Sequence, residues 1–227
     1  MTSLSRRIPP LPREEWTDPA REVFAFWGEP GAWDNGSKIN LVMVLSNHPA
    51  LAMAYNVFGR HLLVESTLPV RPRELIVLRV SWNVKCEYEW HYHVGYALSA
   101  GLTIEEIAAV GIGPDAPNWN DDDRAVLRAA DELWKNSRLS DEIWAALSAR
   151  FDRHQIMDLV FTIGQYGMLS GAIAAFGVEL EAGADRIGWD LETESGRPPG
   201  GSYRPREVED WAAQNKSTLR PDHRVKG

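Results

Sequence analysis

The sequence predicts an all-α protein. Apolar residues recur at helical spacing along most of the chain. Cap residues open these segments, and glycine or proline closes or divides them. No repeat of fixed period is present.

The first residues, "MTSLSRRIPPLPREEW", are proline-rich and read as an extended arm over 1–18. "DPAREVFAFWG" fits a helix, with Pro19 in its first turn and Gly28 at its end. "INLVMVLSNHPALAMAYNVFGRHLLVEST" reads as two helices divided at Asn47-His48-Pro49, because Pro49 cannot continue a helix but can start one. "RPRELIVLRVSWNV" is ambiguous by pattern. Its β-branched residues suit a strand, while its length and Pro72 at the start suit a buried helix, the reading adopted. "CEYEWHYHVGYALSAG" follows as a helix ending near Gly101. Thr103 and Glu106 form a capping box for a short helix. "NDDDRAVLRAADELWKN" places its acids at the helix N-terminus, and Ser140 caps "SDEIWAALSARF". "RHQIMDLVFTIGQYGMLSGAIAAFGVELE" is long and apolar. Its small residues, including Gly164, Gly167 and Gly171, suggest core or subunit interface rather than membrane. The helical domain is read as 19–188. Residues 189–227 are polar and rich in Pro and Gly, a C-terminal arm with one short helix near Val208 to Ala213.

A formal net charge of −8 argues against nucleic acid or an anionic membrane surface as partner. The N-terminus lacks the apolar stretch of a secretory signal, and Cys86 is the sole cysteine. Both suit the cytoplasm. Ten tryptophans suggest a large core or a pocket for flat aromatic ligands.

Chemistry concentrates in "NVKCEYEWHYH", residues 83–93. On a helix, Cys86, Glu89, Trp90 and His93 fall within about 100° of one another. Glu89 and His93 are an i,i+4 pair, close enough to touch. Such a face could host a reactive thiolate, a proton-transfer pair or zinc. Zinc is the weakest of these, since His91 is turned too far round to complete a ligand set, and no metal site is expected. A surface ion pair on an ordinary amphipathic helix would give the same pattern.

Residues 59–107, through "STLPVRPRELIVLRV" and "CEYEWHYHV", closely resemble the carboxymuconolactone decarboxylase family, which shares its fold with the alkylhydroperoxidase AhpD. The resemblance implies an AhpD-like all-α bundle and a homo-oligomer, a trimer or hexamer, and settles residues 72–84 as helix. The peroxidase branch carries Glu, eleven residues, Cys-x-x-Cys, three residues, His. Glu74, Cys86 and His93 match that pattern, whereas Glu89 stands at the second cysteine. A dithiol cycle within one chain is therefore excluded. The decarboxylase-like branch is implied instead. That is a cofactor-independent lyase acting on a small aromatic-derived or lactone acid, losing CO₂ or a one-carbon fragment such as formaldehyde.

In that reading His93 delivers a proton, Glu89 orients it, Glu74 is a second relay member and Cys86 lines the site. Arg71 and Arg73 are candidate anion clamps. Trp82, Trp90 and His61 are candidate substrate contacts, and His48 is a secondary candidate. The alternatives are a single-cysteine redox protein and a non-catalytic binding or assembly protein.

The small-residue helix leads to an assembly prediction. Three glycines in an apolar helix each cost about 1 kcal/mol relative to alanine, which a helix–helix interface between copies would offset. Light scattering at micromolar concentration should give a mass well above the 25.5 kDa of one chain. A monomeric mass would refute this.

Overall fold

The computed structural model describes residues 6–117 and 119–181, so the C-terminal arm read from the sequence lies outside the described residues. Among those described, the protein is helical and contains no strand. They divide into two compact units.

The first unit comprises residues 6–65 and 172–181. The N-terminal segment is extended up to a 3₁₀ turn at Arg13–Glu15. The N–H groups of Arg7 and Ile8 donate to the Phe176 carbonyl. Helix α1 (Asp18–Ala25) opens on Thr17, whose hydroxyl accepts from the Ala20 N–H, with proline in its first turn as expected. A short helix that sequence reasoning did not find, α2 (Ala32–Asn35), follows Gly28 and Gly31, both at positive φ. Helices α3 (Asn40–Leu45) and α4 (Pro49–Arg60) are divided where Asn47-His48-Pro49 indicated. His48 is the cap of α4: its Nδ1 accepts from the Leu51 N–H. A π-helical turn, His61–Glu65, continues α4. Phe24, Val23, Ala32, Val42, Met43 and Ala52 form this unit's core.

The second unit, residues 66–171 as described, carries the larger core. Helix α5 (Val70–Val84) is buried along nearly its whole length, which explains why its sequence lacked an amphipathic period. Lys85 ends it in the left-handed conformation at φ 62°, and the Cys86 N–H returns to the Ser81 carbonyl at 2.9 Å. This tight closure sends α6 (Glu87–Ser99) back along α5. The capping box at Thr103 and Glu106 opens α7 (Ile104–Ile112), Asn120 caps α8 (Asp121–Asn136) and Ser140 caps α9 (Asp141–Arg150).

Helix α10 (Arg153–Phe176) starts in this unit and ends at Gly177, at positive φ, several residues before the sequence reading placed its end. It is long and apolar enough to cross a membrane. Its polar residues Asp158, Thr162, Gln165 and Ser170 are nevertheless buried, while Met157, Phe161 and Met168 are exposed. Asp158 accepts from the Ser66 hydroxyl and from the Thr67 hydroxyl and N–H, fixing the start of the loop into α5. Gly164 and Gly171 have open space where a Cβ would stand, and at Gly167 it would meet Trp134 at an ordinary 3.8 Å. The close approach these glycines permit is therefore not used among the described residues.

Arg79 ties α5 to α7 and α8. Its Nε and Nη2 donate to the Asp131 carboxylate at 2.7 and 2.8 Å, and its Nη1 donates to the Val110 and Gly111 carbonyls. Arg79→Met strands a buried Asp131, since Asn83 alone remains to donate to it. A loss of about 3–5 kcal/mol is expected, read as a lowered urea midpoint. An unchanged midpoint would show that the fork carries no stability.

Candidate functional site

Glu74, in the second turn of α5, is fully buried. Its Oε1 accepts from Arg73 Nε at 2.8 Å, and its Oε2 meets His93 Nδ1 at 2.7 Å. His93 Nε2 lies 3.6 Å from Glu89 Oε2 across one turn of α6. Arg73, Glu74, His93 and Glu89 thus form one line of alternating basic and acidic groups. Glu89 and His93 share a face as their spacing indicated, but the short contact that orients the imidazole comes from Glu74. Sequence reasoning had given that role to Glu89.

The four chemistry-bearing side chains are enclosed: Glu74 is 0 % exposed, and Glu89, His93 and Cys86 are 4 % each. Two surface grooves of about 420 and 460 Å³, lined by residues of α8, α9 and α10 such as Glu132, Ser140, Trp144 and Val160, include none of them. The His93 ring packs against Tyr96, with centroids 5.2 Å apart, and edge-on against Tyr166 at 4.9 Å. Neither tyrosine was singled out from sequence. Tyr96 is i+3 from His93 and was legible in the spacing, whereas Tyr166 arrives from α10 by tertiary packing.

Burial and neighbours set the protonation states. Burial works to raise Glu74, but His93 and Arg73 outweigh it and hold the carboxyl below the usual carboxylate range. Burial pushes Glu89 up to about 6, with His93 opposing only in part. Tyr96 is raised by burial and by the Glu74 charge. Cys86 caps α6 in extended conformation rather than lying within the helix. Burial, then the Glu89 carboxylate, raises its thiol to about 11, against the pull of the Glu89 N–H, the Ser170 hydroxyl and the Tyr88 N–H.

Other expected contacts go elsewhere. Arg71 is held by Glu106 at 2.5 Å and Asp123 at 2.8 Å, a bridge from α5 to α7 and α8. Arg73 is committed to Glu74. Trp82 and Trp90, named as candidate substrate contacts, pack in the core with ring centroids 6.2 Å apart, because α6 lies along α5. His61 is exposed at the end of α4, in the other compact unit.

The architecture is that of AhpD-like helical proteins. A peroxidase-related protein from Silicibacter sp. TM1040 is similar at 17% identity and TM-score 0.65, over 81% of this chain and 96% of that one. The AhpD core of a peroxidase-related protein from Ralstonia eutropha JMP134 gives 18% identity and TM-score 0.64, over 76% and 90%. The debrominase Bmp8 gives 17% and 0.60, over 92% and 100%, and a cysteine-to-alanine form of it has been solved with 2,3,4-tribromopyrrole. Residues 49–132 match the carboxymuconolactone decarboxylase family model, bearing out the resemblance over the segment that carries Glu74, Cys86, Glu89 and His93. No curated protein matches the sequence.

At pH 8 a thiol titrating near 11 is ionised in about one molecule per thousand. Native Cys86 should therefore react with a disulfide reagent at least ~100-fold slower than a free cysteine of pKa ~8.5, and stoichiometrically after unfolding in urea. Rapid labelling of the folded protein would show an activated thiolate.

Proposed function

We propose that the chain is a cofactor-independent carbon–carbon lyase that works by general acid–base catalysis on a small aromatic-derived or lactone substrate. The observation that carries this reading is the enclosed Glu74–His93–Glu89 line with Glu89 poised near pH 6. A group with a pKa near neutrality both takes and returns a proton at useful rates. Glu74 is held ionised and fixes the imidazole through Nδ1, which leaves Nε2 turned toward Glu89. Exclusion of water from these groups strengthens each charge interaction and protects a carbanion-like intermediate.

Breaking a carbon–carbon bond leaves an electron pair on carbon, and a conjugated carbonyl in the substrate absorbs it. The protein then has to move one proton and keep water out. The tribromopyrrole complex of Bmp8 supports the view that the fold accommodates a small, flat aromatic ligand. The raised Cys86 thiol and the absence of a second cysteine weigh against a peroxidase cycle. Self-association through the exposed apolar stripe of α10 belongs to the same proposal.

Turnover against a panel of lactone acids and phenolic compounds, with mass spectrometry of the fragment lost, tests the reading. Glu89→Gln and His93→Ala should each reduce kcat by about 10²–10⁴-fold, while Cys86→Ala stays within about tenfold of the parent. Activity that needs ionised Glu89 should rise with pH through about 6. Full activity in Glu89→Gln, or loss confined to Cys86→Ala, would sink the reading.

A further inference from the structure

The relay is electrically closed on itself. Its two basic groups, Arg73 and His93, face its two carboxylates, Glu74 and Glu89. The other basic side chains of α5 and its cap are engaged elsewhere: Arg71 by Glu106 and Asp123, Arg79 by Asp131 and two carbonyls, and Lys85 over the Trp82 ring at 4.3 Å. Helix α6 contains no lysine or arginine, and α10 has only Arg153, at its first residue. A substrate carboxylate brought against this line would add a buried anion where Arg73 and His93 already face Glu74 and Glu89, and an uncompensated buried charge is strongly disfavoured.

Glu89 is itself short of a partner. Its side chain is 5 % exposed, and its approach to His93 Nε2, at 3.6 Å, is longer than a hydrogen bond. A buried carboxyl with spare acceptor capacity is completed by a hydroxyl and opposed by a second carboxylate.

Resting on the acid–base reading above, we propose that the substrate presents an uncharged hydroxyl to Glu89, and that the bond cleavage is of retro-aldol type, releasing an aldehyde rather than CO₂. The hydroxyl proton passes to the Glu89 carboxylate. The C–O bond of that carbon becomes a carbonyl, the neighbouring C–C bond breaks, and its electron pair moves into the substrate's conjugated carbonyl. The resulting enolate takes the same proton back from Glu89, so no oxidant, reductant or net proton is consumed. His93, held by Glu74, is a positioning residue for Glu89. The titratable and charged groups around Glu89 are His93, Cys86 and Tyr96 from α6, Glu74 and Arg73 from α5, and Tyr166 from α10 against the His93 ring.

Two probes that yield the same ketone separate the leaving groups. 3-Hydroxy-1-phenylpropan-1-one gives acetophenone and formaldehyde, and benzoylacetate gives acetophenone and CO₂. The full-length protein should accelerate formaldehyde release at least about 100-fold over buffer, with a rate rising through about pH 6 in the parent protein. Glu89→Gln should abolish that acceleration while retaining the parent's far-ultraviolet circular dichroism. Benzoylacetate should lose CO₂ at the buffer rate. Acceleration of benzoylacetate alone, dependent on Glu89, overturns the hydroxyl assignment and leaves the acid–base lyase reading standing. Acceleration of neither probe overturns the hydroxyl assignment, and if no compound of the wider panel is turned over either, the lyase reading falls with it.

Discussion

The constraint on which the site depends is the burial of Glu74. A carboxylate with no solvent contact is tolerated only when its oxygens are satisfied and its charge is matched. Arg73 takes one oxygen and His93 the other. Arg73 is the adjacent residue on the same helix, so that half of the arrangement is local. His93 has to be brought from α6, which makes the path of the chain between the two helices part of the chemistry. Lys85, in the left-handed conformation, ends α5 abruptly, and the Cys86 N–H closes the turn on Ser81. A slacker connection would misplace His93 and leave Glu74 half paired.

The same burial divides labour between two glutamates of identical intrinsic acidity. Glu74 has two basic partners and is held ionised, while Glu89 has one distant partner and is pushed toward neutrality. Pairs of carboxyls separated in this way are how one site holds both a fixed charge and a movable proton. Cys86 sits beside the group whose charge most opposes its ionisation. Having Glu89 at the second cysteine of the peroxidase pattern therefore removes one thiol of the pair and also makes the remaining cysteine a poorer nucleophile.

Around this line the second unit is held by paired charges on α5. Arg71 reaches α7 and α8 near one end, and Arg79 reaches them a little over two turns later. The site helix is anchored to α7 and α8 by ion pairs and along its length by apolar packing. Arg71, a candidate anion clamp by sequence, is instead held by Glu106 and Asp123, partners far away in sequence that residue type alone does not reveal.

Local physics made much of this legible in advance. Helix starts followed from Pro19, from the acids that open α8, and from Thr103 and Ser140, whose side chains satisfy N–H groups a few residues on. The shared face of Glu89 and His93 followed from helical spacing, and Glu74 was named by the spacing of a family pattern. What only the tertiary structure decided was distance and direction. It placed Glu74 rather than Glu89 in hydrogen-bond contact with His93, turned Trp82 and Trp90 into the core, brought Tyr166 against the imidazole and left Gly164 and Gly171 facing open space. The physical reason is range: caps and i,i+4 pairs are fixed within one or two turns, whereas burial and pairing depend on which helices the chain brings together.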